Sequence, residues 1–286
     1  MSQIKDSIAE NYWTKTIEPH GHLFDLKLRE LWKYRDLIYL FVHRDFVAEY
    51  KQTILGPAWH FIQPLFTTII FTVVFGKIAE ISTDGAPPFL FYMAGTVIWT
   101  YFSGVLVTTS NTFTGNANIF GKVYFPRLVI PMANIFSKLI AFLIQFLFFL
   151  CFLGYFAWQG ADVQLSIWVL ITPLLLLMMA ALGLGLGIIV SAMTTRYRDL
   201  KVLVGFGTQL LMYVSPIIYP LSTLPEKWQF WAGLNPIAPI VEMFRYAYLG
   251  TGSINLEMLG LSFIVISSIL FIGIIMFNKV ERTFMD

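Results

Sequence analysis

The chain has 286 residues, of which 57% are hydrophobic and only 13% charged, with 19 basic side chains against 17 acidic ones. Soluble domains carry about a quarter charged residues, so this balance excludes a disordered chain, a disulfide scaffold and an ordinary soluble enzyme. The surplus of apolar side chains needs a nonaqueous solvent, and a lipid bilayer is the obvious one.

The first 50 residues are polar and basic. They contain no early apolar stretch followed by a small-residue cleavage site, so no cleaved signal peptide is expected. Residues 23–50 interleave Phe24, Leu28, Leu31, Trp32, Leu37, Ile38, Phe41 and Val42 with Lys27, Arg29, Lys33, Arg35 and Arg44. Spacings of three and four place many of these apolar residues on a shared face. Basic residues suit anionic headgroups, so the segment predicts one or two amphipathic helices lying on the cytoplasmic leaflet. A small soluble domain is the alternative, although so short a segment cannot bury a core of its own.

A spanning helix needs about 20 mostly apolar residues, because each adds 1.5 Å against about 30 Å of hydrocarbon. Charge-free intervals run 52–76, 85–121, 139–161, 163–195, 202–225, 228–241 and 258–278. All but 228–241 are long enough, which predicts six spans at about 57–76, 88–110, 129–157, 165–194, 202–220 and 257–278. The remaining interval is broken by Pro236 and Pro239 and predicts a re-entrant or interfacial hairpin over about 225–248. Glu242 and Arg245 follow, three apart on what could be one helical face. The expected fold is an all-α integral membrane protein, with 1–50 a cytoplasmic segment and 51–286 the six-span domain.

The charges give an orientation. Lys5, Lys15, Lys27, Arg29, Lys33, Arg35, Arg44, Lys51, Lys122, Arg127, Lys138, Arg196, Arg198, Lys201, Lys279 and Arg282 fall on one side of this topology. Lys77, Lys227 and Arg245 fall on the other. Basic residues are retained in the cytoplasm, so both termini are expected there.

Several chemistries fail on spacing. Gly115 to Val123 has five residues between its glycines where a phosphate-binding loop has four, and Val123 stands where that loop needs Ser or Thr for magnesium. His20, His22, His43 and His60 form no metal-ligand pattern. The charge-free runs of the long spans leave only Glu257 at the edge of the last one, which removes the intramembrane carboxylate expected of an ion-coupled carrier. A membrane-embedded glycosyltransferase would need clustered loop carboxylates, and these too are missing. Cys151 is expected as a small core hydrophobe. His60 and Gln63 precede Pro64, and Gln209 and Ser215 precede Pro216. For Gln63 and Gln209, helix–helix hydrogen bonding and pore lining both remain open. Lys138 lies near the cytoplasmic end of its span, where it can snorkel.

Together these landmarks resemble a known family. The run from Arg44-Asp45-Phe46-Val47 to Leu55-Gly56-Pro57-Ala58-Trp59, followed by Gln63-Pro64, is similar to the entry into the first span of polysaccharide-exporting ABC transporter permeases. Tyr197-Arg198-Asp199-Leu200, Ser215-Pro216-Ile217-Ile218-Tyr219-Pro220, and Asn235-Pro236 leading to Glu242-Met243-Phe244-Arg245 follow in the same order. The resemblance implies a homodimer of six-span subunits in the bacterial inner membrane, with a channel between them. It implies two copies of a separate ATPase that hold ATP and magnesium, and no cofactor in this chain. The implied cargo is a lipid-linked glycan, with lipopolysaccharide O-antigen ahead of capsule or teichoic acid. A drug- or lipid-exporting permease of the same superfamily is the alternative, and no nucleic-acid partner is expected.

The resemblance also implies residue roles. Trp59, Gln63, Phe66, Gln209, Tyr213 and Tyr219 are candidate channel residues, with an interfacial aromatic belt or lipid-facing packing as the alternative for the rings. Asn116, Asn118, Phe120, Lys122 and Tyr124 would form a coupling helix for the ATPase. Arg196, Arg198 and Asp199 would make a second contact, with orientation charge as the alternative for the arginines. Asn235, Glu242 and Arg245 would belong to a periplasmic gate. The ATPase subunit would do the chemistry, so this chain is expected to be no enzyme.

Overall fold

The computed structural model describes residues 28–283 except Gln52, Tyr124 and Arg198. The expectations for Lys5, Lys15, His20, His22, Phe24, Lys27, Tyr124 and Arg198 therefore lie outside the described residues. Short helices α1 (Leu28–Lys33) and α2 (Arg35–Tyr50) come first. Helix α3 (Trp59–Phe71) continues as a wider π-helical turn over Thr72–Ile78. After α4 (Pro88–Ser110) come two single turns, α5 (Thr112–Gly115) and α6 (Ala117–Phe120), and then α7 (Val129–Trp158). Helix α8 (Thr172–Thr194) is preceded by a 3₁₀ turn at Ile167–Ile171, and α9 (Leu200–Val214) follows it. The chain ends with α10 (Glu226–Gly233), α11 (Ala238–Leu249) and α12 (Leu256–Thr283).

Five helical stretches are long and apolar enough to cross a bilayer: Trp59–Ile78, Pro88–Ser110, Val129–Trp158, Ile167–Thr194 and Leu256–Val280. They fall within a turn or so of the expected spans. The expected span 202–220 is the departure, because its helix stops at Val214. Fifteen residues rise only about 22 Å. Ser215 turns to extended backbone (φ −84°, ψ 149°) ahead of Pro216, the geometry a following proline imposes. The expected hairpin 225–248 is a pair of helices, α10 and α11, joined through Asn235-Pro236.

Helix α4 is the centre of the bundle. It is apolar on every side, and a helix of that kind is buried; Leu90, Tyr92, Ala94, Val97, Ile98, Phe102 and Val105 have no exposed surface. Helices α3, α7, α8 and α11 pack around it. Between helices in a lipid setting, close approach depends on small residues. A Cβ on Gly187 would lie 2.6 Å from Thr109 Cβ of α4. One on Gly185 would lie 2.9 Å from the Leu270 backbone of α12, and one on Gly273 would lie 2.8 Å from Gly185 O. Glycines thus form the seam that α8 shares with α4 and α12.

Two expectations need correction. Across α1 and α2 the apolar residues occupy two faces rather than one. Leu31 and Phe41, with Leu37, Ile38 and Val42, pack on Phe125, Val129, Ile130 and Ala133 at the start of α7, while Trp32, Tyr39 and Leu40 are exposed. The spacing could not separate these sets, because Tyr39 and Leu40 lie in one unbroken apolar run with Leu37, Ile38, Phe41 and Val42. Cys151 is exposed, not in the core, because it lies on the outer side of α7 between the inward-facing Phe149 and Leu153.

The seam makes a prediction. Gly187→Ala overpacks α8 against α4 and should cost about 1–3 kcal/mol, read as a lower melting temperature in detergent. Gly154→Ala on α7, where an added Cβ meets nothing within 4 Å, should leave melting unchanged.

Candidate functional site

The break after α9 is built around one buried cation. Arg245 on α11 has no exposed surface. Its Nη1 donates to Pro216 O at 2.6 Å and its Nη2 to Ile217 O at 2.7 Å. Helix ends leave unpaired carbonyls, and here a guanidinium also satisfies the carbonyls of the non-helical run beyond the end. The guanidinium lies 3.6 Å from the centre of the Phe91 ring of α4, a cation–π contact. Glu242, one turn earlier on α11, stands 3.6 Å from Nη1. Gly95 makes the room, because a Cβ there would sit 2.8 Å from Arg245 Nη2.

Asn235, Glu242 and Arg245, singled out in the sequence, therefore converge on one place. Asn235 Nδ2 donates to Ser215 Oγ at 2.9 Å, Ser215 Oγ donates to Leu211 O at 2.7 Å, and the Ile237 amide donates to Asn235 Oδ1 at 3.1 Å. The Leu221 amide points at Glu242 Oε1 at 3.5 Å. Ser222 donates to the Asp84 carboxylate at 2.8 Å, which ties the loop before α4 to the loop after α9. Burial pushes the Glu242 carboxyl above its usual range, with Arg245 opposing the shift. Burial likewise lowers Arg245, to about 10, with Glu242 opposing, which leaves it charged at neutral pH. Phe91 and Gly95 complete this clamp, and sequence reading missed both because neither stands out within an apolar helix.

At the far end of α4 the α5–α6 loop is braced from inside. The Phe113 amide donates to Ser191 Oγ of α8 at 3.1 Å, and the Phe113 ring stacks on Phe277 of α12 at 4.6 Å. Asn116 Nδ2 donates to Thr112 O at 3.0 Å, spanning the joint between the two turns. Phe120 faces inward against Phe113 and Phe125, with the Arg127 guanidinium 5.4 Å from its ring. Asn118 and Lys122 are exposed at the tip. Arg196 and Asp199 are exposed in the loop between α8 and α9, with Arg196 lying 5.6 Å from the Tyr197 ring. Asn116, Arg44 and Asp45 of α2 and Lys201 of α9 share the wall of one cleft, so the α5–α6 loop, α2 and α9 meet at this end.

The candidate channel residues divide. Phe66, Gln209 and Tyr213 are exposed on α3 and α9. None of the α9 residues is buried, and Thr68 is the one buried residue of α3. Trp59 and Gln63 are exposed too, but they also border a cavity between α3, α4 and α7. Tyr219 lies apart from that face. Its hydroxyl donates to Val214 O at 3.0 Å and finishes the end of α9.

Residues 36–249 match the family described as ABC-2 type transporter. The chain is 28% identical over 251 residues to an O-antigen export system permease protein of Klebsiella pneumoniae, covering 88% of this chain and 94% of that one. It is 25% identical to the protein of the same name in Myxococcus xanthus, covering 76% and 82%. An inner membrane transport permease of Escherichia coli K12 is 29% identical over 93 residues, 32% of this chain and 36% of its own length.

Breaking the clamp has a defined cost. Arg245→Met leaves Glu242 buried without its cation and two carbonyls unpaired, which should cost about 3–5 kcal/mol. Arg245→Met with Glu242→Leu should melt closer to the parent than Arg245→Met alone, because the double variant removes both charges. Thermal melting of the three proteins in one detergent checks this.

Proposed function

The chain belongs to the ABC-2 type transporter family and is a membrane-spanning permease subunit. On that premise we propose that it is the channel-forming half of an ATP-driven exporter of lipid-linked polysaccharide, with O-antigen as the cargo. Two copies pair through α3 and α9, and a separate ATPase drives them from the cytoplasmic side of the inner membrane.

The observation that carries this reading is the uncovered face of α3 and α9. It displays Phe66, exposed to 60%, and Tyr213, exposed to 49%, beside Gln63 and Gln209. Helices that each carry an outward amide side chain gain by facing a second copy or a wet path rather than lipid alone. Sugars present apolar C–H faces and rings of hydroxyls, so aromatic faces with few fixed charges hold a sliding polymer without trapping it. Curated relatives that align over most of their length carry the name O-antigen export permease, which supports the choice of cargo.

The energy source must lie elsewhere, since the chain has no phosphate-binding loop. The exposed Asn118 and Lys122 on a braced loop suit a docking point for the ATPase, with Arg196, Arg198 and Asp199 as a second contact. At the other end, α11 and the Arg245 clamp set the position of the segment after α9, the natural place for an outer gate. On this reading both termini are cytoplasmic, because the end bearing Arg44, Lys122, Arg127 and Lys201 is the basic one.

The test is the complex with its ATPase partner, reconstituted in vesicles. Lipid-linked polysaccharide should stimulate ATP hydrolysis and be carried across. Phe66→Ala and Tyr213→Ala should each slow transport by about tenfold, equivalent to about 1.4 kcal/mol, without dissociating the complex. Lys122→Glu should weaken ATPase binding while leaving the permease folded. Stimulation by drug-like amphiphiles or phospholipids and not by glycans would move the protein to the drug- or lipid-exporting class.

A further inference from the structure

A cleft of about 470 Å³ opens where α2, the end of α4, the α5–α6 loop, the start of α7 and the start of α9 meet. That is within the range of ligand pockets, about 300–1,000 Å³. Its depth follows from α4, whose 23 residues rise about 34 Å and so reach across about 30 Å of hydrocarbon. Val107, Thr108 and Ser110 of the last turn line the cleft, which puts it at headgroup level. Asn134 of α7 also lines it. It is only 9% exposed, and its side-chain amide has no hydrogen-bond partner among the described residues. Asn111 Oδ1 accepts from Thr114 Oγ1 at 2.8 Å, while the Asn111 amide N–H groups stay uncommitted. Gly115 makes room for them, because a Cβ there would sit 2.7 Å from Asn111 Nδ2.

The charges of the lining do not cancel. Asp45 is its one carboxylate among the described residues, and Arg44 already holds it, through Nε at 2.9 Å and Nη2 at 2.7 Å. A guanidinium has five N–H groups, so three remain for a ligand, and the group is seated 4.6 Å from the centre of the Phe41 ring. Lys201 has no partner among the described residues. The cleft therefore carries one net positive charge. Thr108 Oγ1 donates to Gly104 O and Ser110 Oγ to Val107 O, so both hydroxyls can only accept from a ligand. A cation would meet Arg44 and Lys201. A nucleotide or a bare diphosphate brings several negative charges against one, and no aromatic ring lines the cleft among the described residues to stack on a base or a sugar. A phosphodiester carries a single negative charge, which matches. Basic pockets between spans hold anionic headgroups for this reason. Val107, Ile130 and Val204 supply an apolar wall for the glycerol backbone and the first methylenes.

We propose that this cleft binds an anionic glycerophospholipid with a hydroxylated headgroup, phosphatidylglycerol: Lys201, Arg44 and the amides of Asn134 and Asn111 serve the phosphodiester, while Thr108 and Ser110 accept from the headgroup hydroxyls. A lipid seated there ties α9 to the α5–α6 loop. Helix α9 buries none of its own residues, so the lipid supplies contacts that the subunit alone does not give it. The assignment needs the chain to span a membrane and is independent of what the chain carries.

Native mass spectrometry of the full-length permease in detergent, titrated with phosphatidylglycerol or phosphatidylcholine of the same acyl chains, tests the assignment. The parent should retain one phosphatidylglycerol per subunit and prefer it by about tenfold, the margin of one charge-assisted contact. Lys201→Gln and Asn134→Leu should each weaken that binding by about tenfold, and Lys33→Gln on α1, outside the cleft, should leave it unchanged. Without added lipid, Asn134→Leu should melt no lower than the parent, since its amide has no partner in the fold. Equal binding of the two lipids by the parent overturns the site, as does an undiminished preference in both cleft variants. A matching loss in Lys33→Gln would mark a diffuse attraction to the basic surface and overturn it too. Displacement by glycerol 3-phosphate would assign the cleft to a soluble phosphate ester, and displacement by farnesyl diphosphate at equal concentration would assign it to a lipid-linked diphosphate; either result overturns the proposal. Each of these failures leaves glycan export standing, because that reading is tested by ATP hydrolysis and transport in the complex.

Discussion

The geometry of the bundle around Ser215–Pro220 depends on a single buried guanidinium. Moving a charge into the interior costs several kcal/mol unless it is paired, and Arg245 is paired with two carbonyls, an aromatic face and a carboxylate. The two carbonyls belong to Pro216 and Ile217, where the chain has left α9 and has no ladder of its own. A buried non-helical segment is tolerated where protein satisfies its backbone, and Arg245 is the group that does so. The clamp thus permits α9 to stop at Val214, and that in turn fixes where the loop through Leu221 and Ser222 meets Glu242 and Asp84.

Burial is unequal across the helices, and the inequality has a direction. Helix α4 is enclosed by its neighbours, and α8 lies close against it along glycines. Helix α3 and helix α9 keep almost all of their surface outward. The outward residues are not uniformly greasy, since Gln63 and Gln209 share them with large aromatics. Helix–helix association in a membrane draws on packing and on polar contacts rather than on hydrophobic transfer, so these are the faces with most to gain from a second subunit.

Contacts run without a gap between the two ends of the molecule. The α5–α6 loop is held by Ser191 to α8 and by Phe277 to α12. Helix α8 meets α4 at Gly183 and Gly187, and α4 carries Phe91 and Gly95, which surround Arg245. A displacement of the braced loop has no soft element to absorb it before α4, because interiors packed this closely do not yield gradually. The short α9, none of whose residues is buried, stands outside this path.

The amino-acid sequence by itself determined the solvent, the helical class and most helix limits, because charge spacing and apolar run length are local properties. Pro88 to Ser110 is the same helix in both readings. It also marked Glu242 and Arg245, three apart on one helical face, and the family resemblance added Asn235. Only the tertiary structure decided that they share one site with Ser215 and Phe91, that α9 ends at Val214, and that Trp59 and Gln63 border a cavity with Gln145 and Lys138. Two apolar faces across α1 and α2 and an outward Cys151 were equally out of reach. Which face of a helix is buried depends on the neighbours it meets, and in a chain where nearly every face is apolar, composition carries too little contrast to name them.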